Sequence, residues 1–370
     1  MSRRSMKLSQ NMLLSCPWEI AASRSRFSEE GRKPASKTGK LGLTRPLRTA
    51  SFAGLRKPAR SPIMSSLSRR LRRLLPRRMR RRLAERDAAR NSGIHLDAEK
   101  ARAALGEVDD EWRKRIADVI ACPDNEFIPR VPEAGELQDG VIAMHNGIRV
   151  GALGYYGQGI LNMLVENRGV HEPQEERAFG EVLKFIEPGG TMIELGAYWG
   201  FYSMWFLKEV ESGMAWLVEP DSQHILSGRQ NFELNGMTGN FESAYAGLHP
   251  GLAKDGTRIT TLDEIMAKHS IDRLSILHAD IQGAESDMLQ GGRNTFEARK
   301  VDFAFISTHS NDLHAQCLRQ LEAYGFEILV SCDLDVTASV DGVIVAKLKG
   351  VNGPDALEVA GNSIRRPANH

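Results

Sequence analysis

The stretch TMIELGAYWGFYS, residues 191–203, decides how the rest of the chain is read. Its first five residues form a short apolar run that reads as a buried strand, closed by the acid Glu194. Gly196 then lets the backbone turn sharply, and Gly200 lets a ligand lie against the first turn of the helix that follows. The spacing is E-x-G-x-x-x-G, not the G-x-G-x-x-G that cradles a pyrophosphate, which favours a ligand without a diphosphate. Tight packing of helix on sheet is the alternative use of the same glycines.

Downstream of this turn, strands and helices alternate. Strands are predicted at 191–195, 215–219, 240–246, 275–280, 302–308, 326–331 and 342–348. Helices fall between the first three, then at 261–269, 284–292 and 312–325. Thr261 and Glu264 have capping-box spacing, and Gly325 suits a helix end. This alternation implies an α/β fold with a mostly parallel sheet covered by helices on both faces. The last two strands leave no room for a helix between them, so they should pair antiparallel, unlike an ordinary dinucleotide-binding domain.

Chemistry-bearing residues collect at the expected strand ends, where ligands of open α/β sheets bind. Glu219 ends the second strand, 25 residues after Glu194, and a carboxylate there can accept both ribose hydroxyls of a nucleoside. In LHADIQGAESDML, residues 277–289, His278 and Asp280 are two apart and share a strand face. His309 ends the strand expected beside it. Either a histidine acts as general base with Asp280 orienting it, or Asp280 and one or two histidines hold a divalent metal against an acceptor hydroxyl. The bland alternative makes His278 a satisfied strand histidine and His314 a surface residue of the last helix.

Upstream, residues 92–187 read as a mixed region. Helices are expected in 107–121, 159–169 and 173–190, and a hairpin in 140–153 turns at His145-Asn146-Gly147. This region precedes the main sheet and is placed to cover a ligand pocket. Tyr155 and Tyr156 are candidates for lining it, and HEPQEERAF, residues 171–179, reads first as a polar helix start. Glu175 or Glu176 there could otherwise cap a cofactor amine. Trp199, Trp205 and Trp216 read as core or pocket wall.

The net charge of +2 conceals a division: residues 1–90 hold 25 Lys/Arg against 5 Asp/Glu, and the remainder holds 24 against 42. Residues 1–63 read as a disordered basic tail, with Met64 a second candidate start. In 64–91, leucines at helical spacing interrupt an arginine-dense surface, which reads as a basic amphipathic segment broken at Pro76. Such a segment suits an anionic membrane face or remains a solvated or nucleic-acid-sticky tail. No apolar run is long enough to span a membrane, and four scattered cysteines without CxxC spacing argue against a disulfide frame or zinc site. A cytoplasmic protein, peripheral to the membrane at most, is expected. The acidic globule and the lack of N-P-P-Y or D-P-P-Y argue against a nucleic-acid substrate.

From about Gln174 to Lys349 the chain resembles the FkbM-type S-adenosylmethionine-dependent methyltransferases, through MIELGAYWGFYSMWF, VEPDSQHILSGRQNFELNG, ITTLDEI, LHADIQGAESDMLQGG and the closing DGVIVA. The resemblance implies a class I methyltransferase fold: a seven-stranded Rossmann-like sheet, mostly parallel with a C-terminal antiparallel strand. It also implies that Gly196, Gly200 and Tyr202, beside Glu194, surround the methionine part of S-adenosylmethionine, that Glu219 holds the ribose, and that Ala244 and Tyr245 lie by the adenine. Where the family commonly shows K-x-D-x-E-G-x-E, this chain has His278, Asp280, Gln282, Gly283 and Glu285, so no role of the missing lysine or first glutamate carries over.

The organisation expected is therefore a tail (1–63), a basic segment (64–91), an N-terminal α/β extension (92–173), a methyltransferase domain (174–350) and a flexible C-terminal tail (351–370). The leading function is O-methylation of a hydroxyl on a sugar or glycan-containing acceptor. The alternatives are a nicotinamide-dependent oxidoreductase and a non-catalytic nucleoside-binding module tethered by its basic tail.

Overall fold

A computed structural model describes residues 97–154 and 157–364, all within one unit, Ser65–His370. The basic segment 64–91, Tyr155 and Tyr156 lie outside the described residues. No described helix is long and apolar enough to cross a membrane.

The described chain opens with helices α1 (Ala98–Ala104) and α2 (Asp110–Ala121), a 3-10 turn (Pro123–Phe127), and strands β1 (Leu137–Gln138), β2 (Val141–Ala143) and β3 (Arg149–Gly151). These strands form a small antiparallel sheet, with the expected turn between β2 and β3. Helices α3 (Gln158–Glu166) and α4 (Pro173–Leu183) follow. The βα repeat then begins: β4 (Thr191–Leu195), α5 (Phe201–Glu209), β5 (Met214–Val218), α6 (Ser222–Leu234) and β6 (Asn240–Glu242). Three short strands, β7 (Tyr245–Ala246), β8 (Gly251–Leu252) and β9 (Arg258–Thr260), form a side sheet before α7 (Leu262–His269). The chain continues through β10 (Leu274–Ala279), α8 (Glu285–Gly291), α9 (Arg293–Glu297), β11 (Val301–Thr308), α10 (Asn311–Ala323), β12 (Phe326–Cys332) and β13 (Gly342–Leu348).

Side chains of the N-cap residues fix where several helices start. Asp109, Asp221, Thr261 and Ser310 each accept a backbone N–H in the first turn. The capping box at Thr261 is half made: its hydroxyl takes the Glu264 N–H, but the Glu264 carboxylate turns to Arg258 and Thr260.

The main sheet has the order β12-β13-β11-β10-β4-β5-β6. Six strands point the same way, and β13, between β11 and β12, runs antiparallel to both. This is the class I methyltransferase arrangement, with the seventh strand inserted before the sixth. Strand order reverses at β4, which has β5 on one side and β10 on the other, so the crevice for ligands lies at the carboxyl ends of β4 and β10. The predicted strand 240–246 breaks in two, since β6 ends at Glu242 and residues 245–246 pair with β9 in the side sheet.

Alternation along the strands divides the core between two faces. Ile193, Leu195, Leu277, Ala279, Ala304 and Ile306 pack under α7 to α10. Met192, Ile276, Phe303 and Phe305 pack under α4, α5 and the N-terminal extension, whose Ile116, Ile142 and Leu161 belong to the same cluster. The extension and the sheet therefore share one core. Asn235, the C-cap of α6, and Asn231 within it fasten β3 by accepting the N–H groups of Arg149 and Gly151 at 2.9 Å each.

Beyond β13 the chain departs from the expected flexible tail. Leu357 and Val359 are buried, Ala360 donates its N–H to Asp124 at 2.9 Å, and Asn362 bonds Ser331 and Leu329. Apolar side chains and a satisfied amide hold residues 351–364 against the fold; residues 365–370 lie outside the described residues. His314 is also not on the surface: it is buried, with Nδ1 2.8 Å from the Thr308 hydroxyl and Nε2 3.0 Å from that of Ser331. Trp199, Trp205 and Trp216 are buried as core.

Candidate active site at the strand ends

The loop after β4 turns on three left-handed residues, Gly196 (φ +73°), Tyr198 (φ +42°) and Gly200 (φ +74°). Tyr198 pays a steric cost there that glycine avoids. Both glycines also have a packing reason. A Cβ on Gly196 would lie 1.7 Å from the carbonyl oxygen of Asp280, and one on Gly200 would lie 2.9 Å from the Phe232 ring. The sequence reading offered either room for a ligand or helix–sheet packing at these positions; the structure shows close approach of β4 to β10 and of α5 to α6.

Glu219 is buried at the tip of β5. One of its oxygens accepts the Tyr198 N–H at 3.1 Å, and the other accepts the Asp221 N–H at 2.9 Å and faces His224 Nδ1 at 3.1 Å. It thereby ties the glycine loop to the second strand. Glu194 is buried too, and its carboxylate accepts the Ser203 N–H at 3.1 Å in the first turn of α5. Burial pushes its pKa up to about 7, against the pull of His278 and the Ser203 bonds. Ala244 is buried, and Tyr245 is partly exposed with its hydroxyl 3.2 Å from Asp255.

Asp280 and His309 meet as their positions at adjacent strand ends require, with Nε2 of His309 3.2 Å from Oδ1 of Asp280. The same nitrogen is 3.3 Å from Asp341, in the turn before β13, and Nδ1 is 3.0 Å from Glu285. Burial alone would lower the pKa of His309, but the bonds to Asp280 and Glu285 and the charge of Asp341 raise it to about 11. Burial and the charge of Asp280 raise Asp341 to about 7 despite His309. His309 also lines a cleft of about 350 Å³ with Gly283, Ser286, Asp287, Ser310 and Gln316, most of them polar.

His278 does not join this pair. It is buried, 2.9 Å from Glu175 and tilted against the Tyr202 ring at 4.3 Å, and its charged neighbours are Glu175, Glu194 and Glu172. Burial lowers its pKa but these acids, Glu175 first, raise it to about 9. Alternation explains the place: Glu194, His278 and Ser307 end the strand rows that carry Met192, Ile276 and Phe305 beneath the extension.

The extension answers with a polar layer of its own. Glu175 faces His278 and accepts the Ser307 hydroxyl at 3.2 Å, and Glu172 accepts the Tyr202 hydroxyl at 2.9 Å. Glu176 lies 2.6 Å from His171 and 3.2 Å from His145, and it accepts the backbone N–H groups of His171 and Glu172. Burial would raise the pKa of Glu176, yet His171 and then His145 hold it at about 2. Residues 171–176 are thus not an ordinary solvated helix start. Their side chains turn inward because Pro173, Ala178, Phe179 and Val182 face the core.

Residues 253–328 match the family model of the Methyltransferase FkbM domain, a span that contains Asp280, Glu285 and His309. No curated protein matches the chain. Among solved structures, it is similar to a precorrin-6y C5,15-methyltransferase from Geobacter metallireducens GS-15, at 13% identity over 48% of this chain and 89% of that one, TM-score 0.32. M. capricolum TrmK in complex with S-adenosylhomocysteine aligns at 13% identity over 49% of this chain and 71% of that one, TM-score 0.33. An rRNA methylase from Streptococcus thermophilus aligns at 9% identity over 48% and 97%, TM-score 0.36. Likenesses this distant carry no argument about substrate, and the fold rests on its own strand order.

Proposed function

We propose that the chain, whose residues 253–328 match the methyltransferase FkbM domain, is a methyltransferase that moves a methyl group from S-adenosylmethionine to a hydroxyl oxygen of a sugar or glycan-containing acceptor. The observation that carries this reading is the Asp280–His309 contact at the switch point of the sheet, opening on a polar cleft. S-adenosylmethionine supplies an electrophilic methyl group on a cationic sulfonium. Its charge suits an edge where Glu172, Glu194, Asp280, Glu285 and Asp341 gather, and Glu219 is the strand-tip acid suited to a ribose. The turn after β4 is not the glycine pattern of a nicotinamide site, and β13 runs antiparallel.

A sugar hydroxyl is a poor nucleophile, so the chain must align it and remove its proton. His309 is charged well above neutral pH and is not the base; its role is to hold Asp280. Asp280 accepts the hydroxyl hydrogen as the oxygen–methyl bond forms and the methyl–sulfur bond breaks, the electron pair staying with sulfur. Ser286, Ser310 and Gln316 offer hydrogen bonds to the remaining hydroxyls of the acceptor. We further propose that residues 64–90 hold the protein to an anionic membrane face, supported by the concentration of arginine there.

The test incubates the full chain with S-adenosylmethionine and extracted surface glycans and glycolipids, reading a mass gain of one CH₂ together with S-adenosylhomocysteine. Asp280→Asn keeps the shape without the charge. Turnover should fall about a hundredfold or more while cofactor binding persists. Normal turnover in Asp280→Asn overturns the assignment of the base.

A further inference from the structure

His309 is faced by three carboxylates, one of which is fully buried and has an oxygen without a donor. Asp280, at the end of β10, and Glu285, the first residue of α8, supply two of them, and ligand atoms of Asp280, Glu285 and His309 all lie within 4.8 Å of one another. Asp341 approaches the same imidazole at 3.3 Å from the turn before β13. Elements from separate parts of the chain thus place three potential ligands within reach of one point, with Asp341 against the same imidazole.

Glu285 supplies the independent observation. It is fully buried and aimed at His309, and its Oε1 is supported by the backbone N–H groups of Ile281 and Gly283 at 3.2 and 3.1 Å. Its Oε2 is buried with no hydrogen-bond partner. Withdrawing a carboxylate oxygen from water without a donor is costly, and a cation removes that cost. The arrangement points the same way: carboxylates of Asp280, Glu285 and Asp341 converge on a single imidazole, and a cation bound among them displaces the proton of His309 and takes that ring nitrogen as a neutral ligand. Arg115 of α2 contributes only a field at Asp341.

We propose that Asp280, Glu285 and His309, with Asp341 beside them, form a divalent-cation site. This deepens the methyltransferase reading of the same edge by naming how the acceptor hydroxyl is activated. Oxygen donors with one imidazole nitrogen suit Mn²⁺ above all, with Mg²⁺ next; a purely soft ion would want thiolates. The cleft beside His309 gives an acceptor hydroxyl access to the cation. A coordinated hydroxyl is more acidic, so its proton leaves more readily to a carboxylate of the cluster and then to solvent as the oxygen takes the methyl group.

The full chain, stripped with chelator and desalted, is titrated with MnCl₂ by equilibrium dialysis and electron paramagnetic resonance, and its melting temperature is followed in parallel. One Mn²⁺ per chain is expected, with a higher melting temperature that chelator reverses. Asp280→Asn and Glu285→Gln should each weaken Mn²⁺ at least tenfold, whereas Glu297→Gln, on the exposed face of α9, should not. Circular dichroism identifies any variant that fails to fold, and Asp341→Asn then serves in its place. Equal Mn²⁺ binding by wild type, Asp280→Asn and Glu285→Gln would mean scattered surface acids and overturns the site, as does no binding by the wild type. S-adenosylmethionine binding measured on the stripped protein separates the two readings: retained cofactor binding without Mn²⁺ binding sinks the cation site alone, and the reverse sinks the methyltransferase reading alone.

Discussion

Gly196→Ala probes the joint on which the site hangs. The Gly196 N–H bonds Val218 and the Asp280 N–H bonds Leu195, so the ends of β5, β4 and β10 are laced together at this point. A methyl group at residue 196 would sit 1.7 Å from the Asp280 carbonyl oxygen, whereas a relaxed carbon–oxygen contact needs about 3.3 Å. The strand ends must part by about 1.6 Å, because the obstacle is backbone and cannot rotate away. The left-handed backbone, φ +73°, adds about 1–2 kcal/mol for a residue with a Cβ. Overpacking adds about 1–3 kcal/mol. The total, roughly 2–5 kcal/mol, corresponds to a drop of about 5–15 °C in melting temperature for a domain of this size.

The functional loss should exceed the loss of stability, since Asp280 moves with its carbonyl and a misplacement of about 1 Å can cost a hundredfold in rate. Gly189→Ala is the matched control: its φ is +78°, but nothing lies within 4 Å of the added methyl. It bears the backbone cost without the collision. Scanning calorimetry of both variants, with methyl transfer measured below their transitions, separates the two contributions. If Gly196→Ala melts within about 2 °C of Gly189→Ala and keeps full turnover, the close approach of β4 to β10 does not position Asp280.

Three further outcomes are expected. Glu219→Ala should lose about 1.5–3 kcal/mol of S-adenosylmethionine affinity by calorimetry, the worth of a hydrogen bond to a charged group, and an unchanged affinity would move the nucleoside elsewhere. Glu176, held at about 2 by His171 and His145, contributes stability above its unfolded pKa that is lost as pH falls from about 4.5 to 2. Glu176→Gln should therefore lower the urea midpoint at pH 6 and flatten its fall toward pH 3, and an unaltered slope would show that this acid is not the source. Vesicle binding by the full chain should require anionic lipid and weaken with salt, and a chain starting near Asn91 should lose it; equal partitioning of the two would rule out the anchor.

The parts of the fold that the sequence revealed are those whose signals are local. Alternating apolar residues, cap residues and Gly325 marked the βα repeat, and short spacing between the last two strands marked the antiparallel ending. Asp280 and His309 were legible because each directly follows a strand and those strands are neighbours. Asp341 was not, because it reaches His309 from a turn whose own residues give no sign of it. The acids of 171–176 were misread for a physical reason: an acidic first turn is what a solvated helix prefers. A signal was nonetheless present. Glu175 lies one turn before Phe179, and Phe179 one turn before Leu183, so it belongs to the buried face.

That buried face explains why the N-terminal extension is part of the site and not a cover laid over it. Glu194 and His278 end their strands inside the molecule, where an unpaired charge would be costly. Glu175 faces His278, and Glu172 engages the Tyr202 hydroxyl that stands beside it. His171 and His145, in turn, compensate Glu176. Each charged group is thus supported by one supplied from another element, and the chain of partners runs from the β2–β3 turn to the strand carrying Asp280. A hydrophobic layer in its place could supply packing without desolvated charge, so this polar layer is not explained by stability alone. Its position explains it better: side chains held by ion pairs and tilted or edge-on rings restrict Tyr202 and the start of α5, the elements that border the glycine turn. A methyl transfer that depends on alignment gains from such rigidity, and the residues that provide it come from both sides of the shared core.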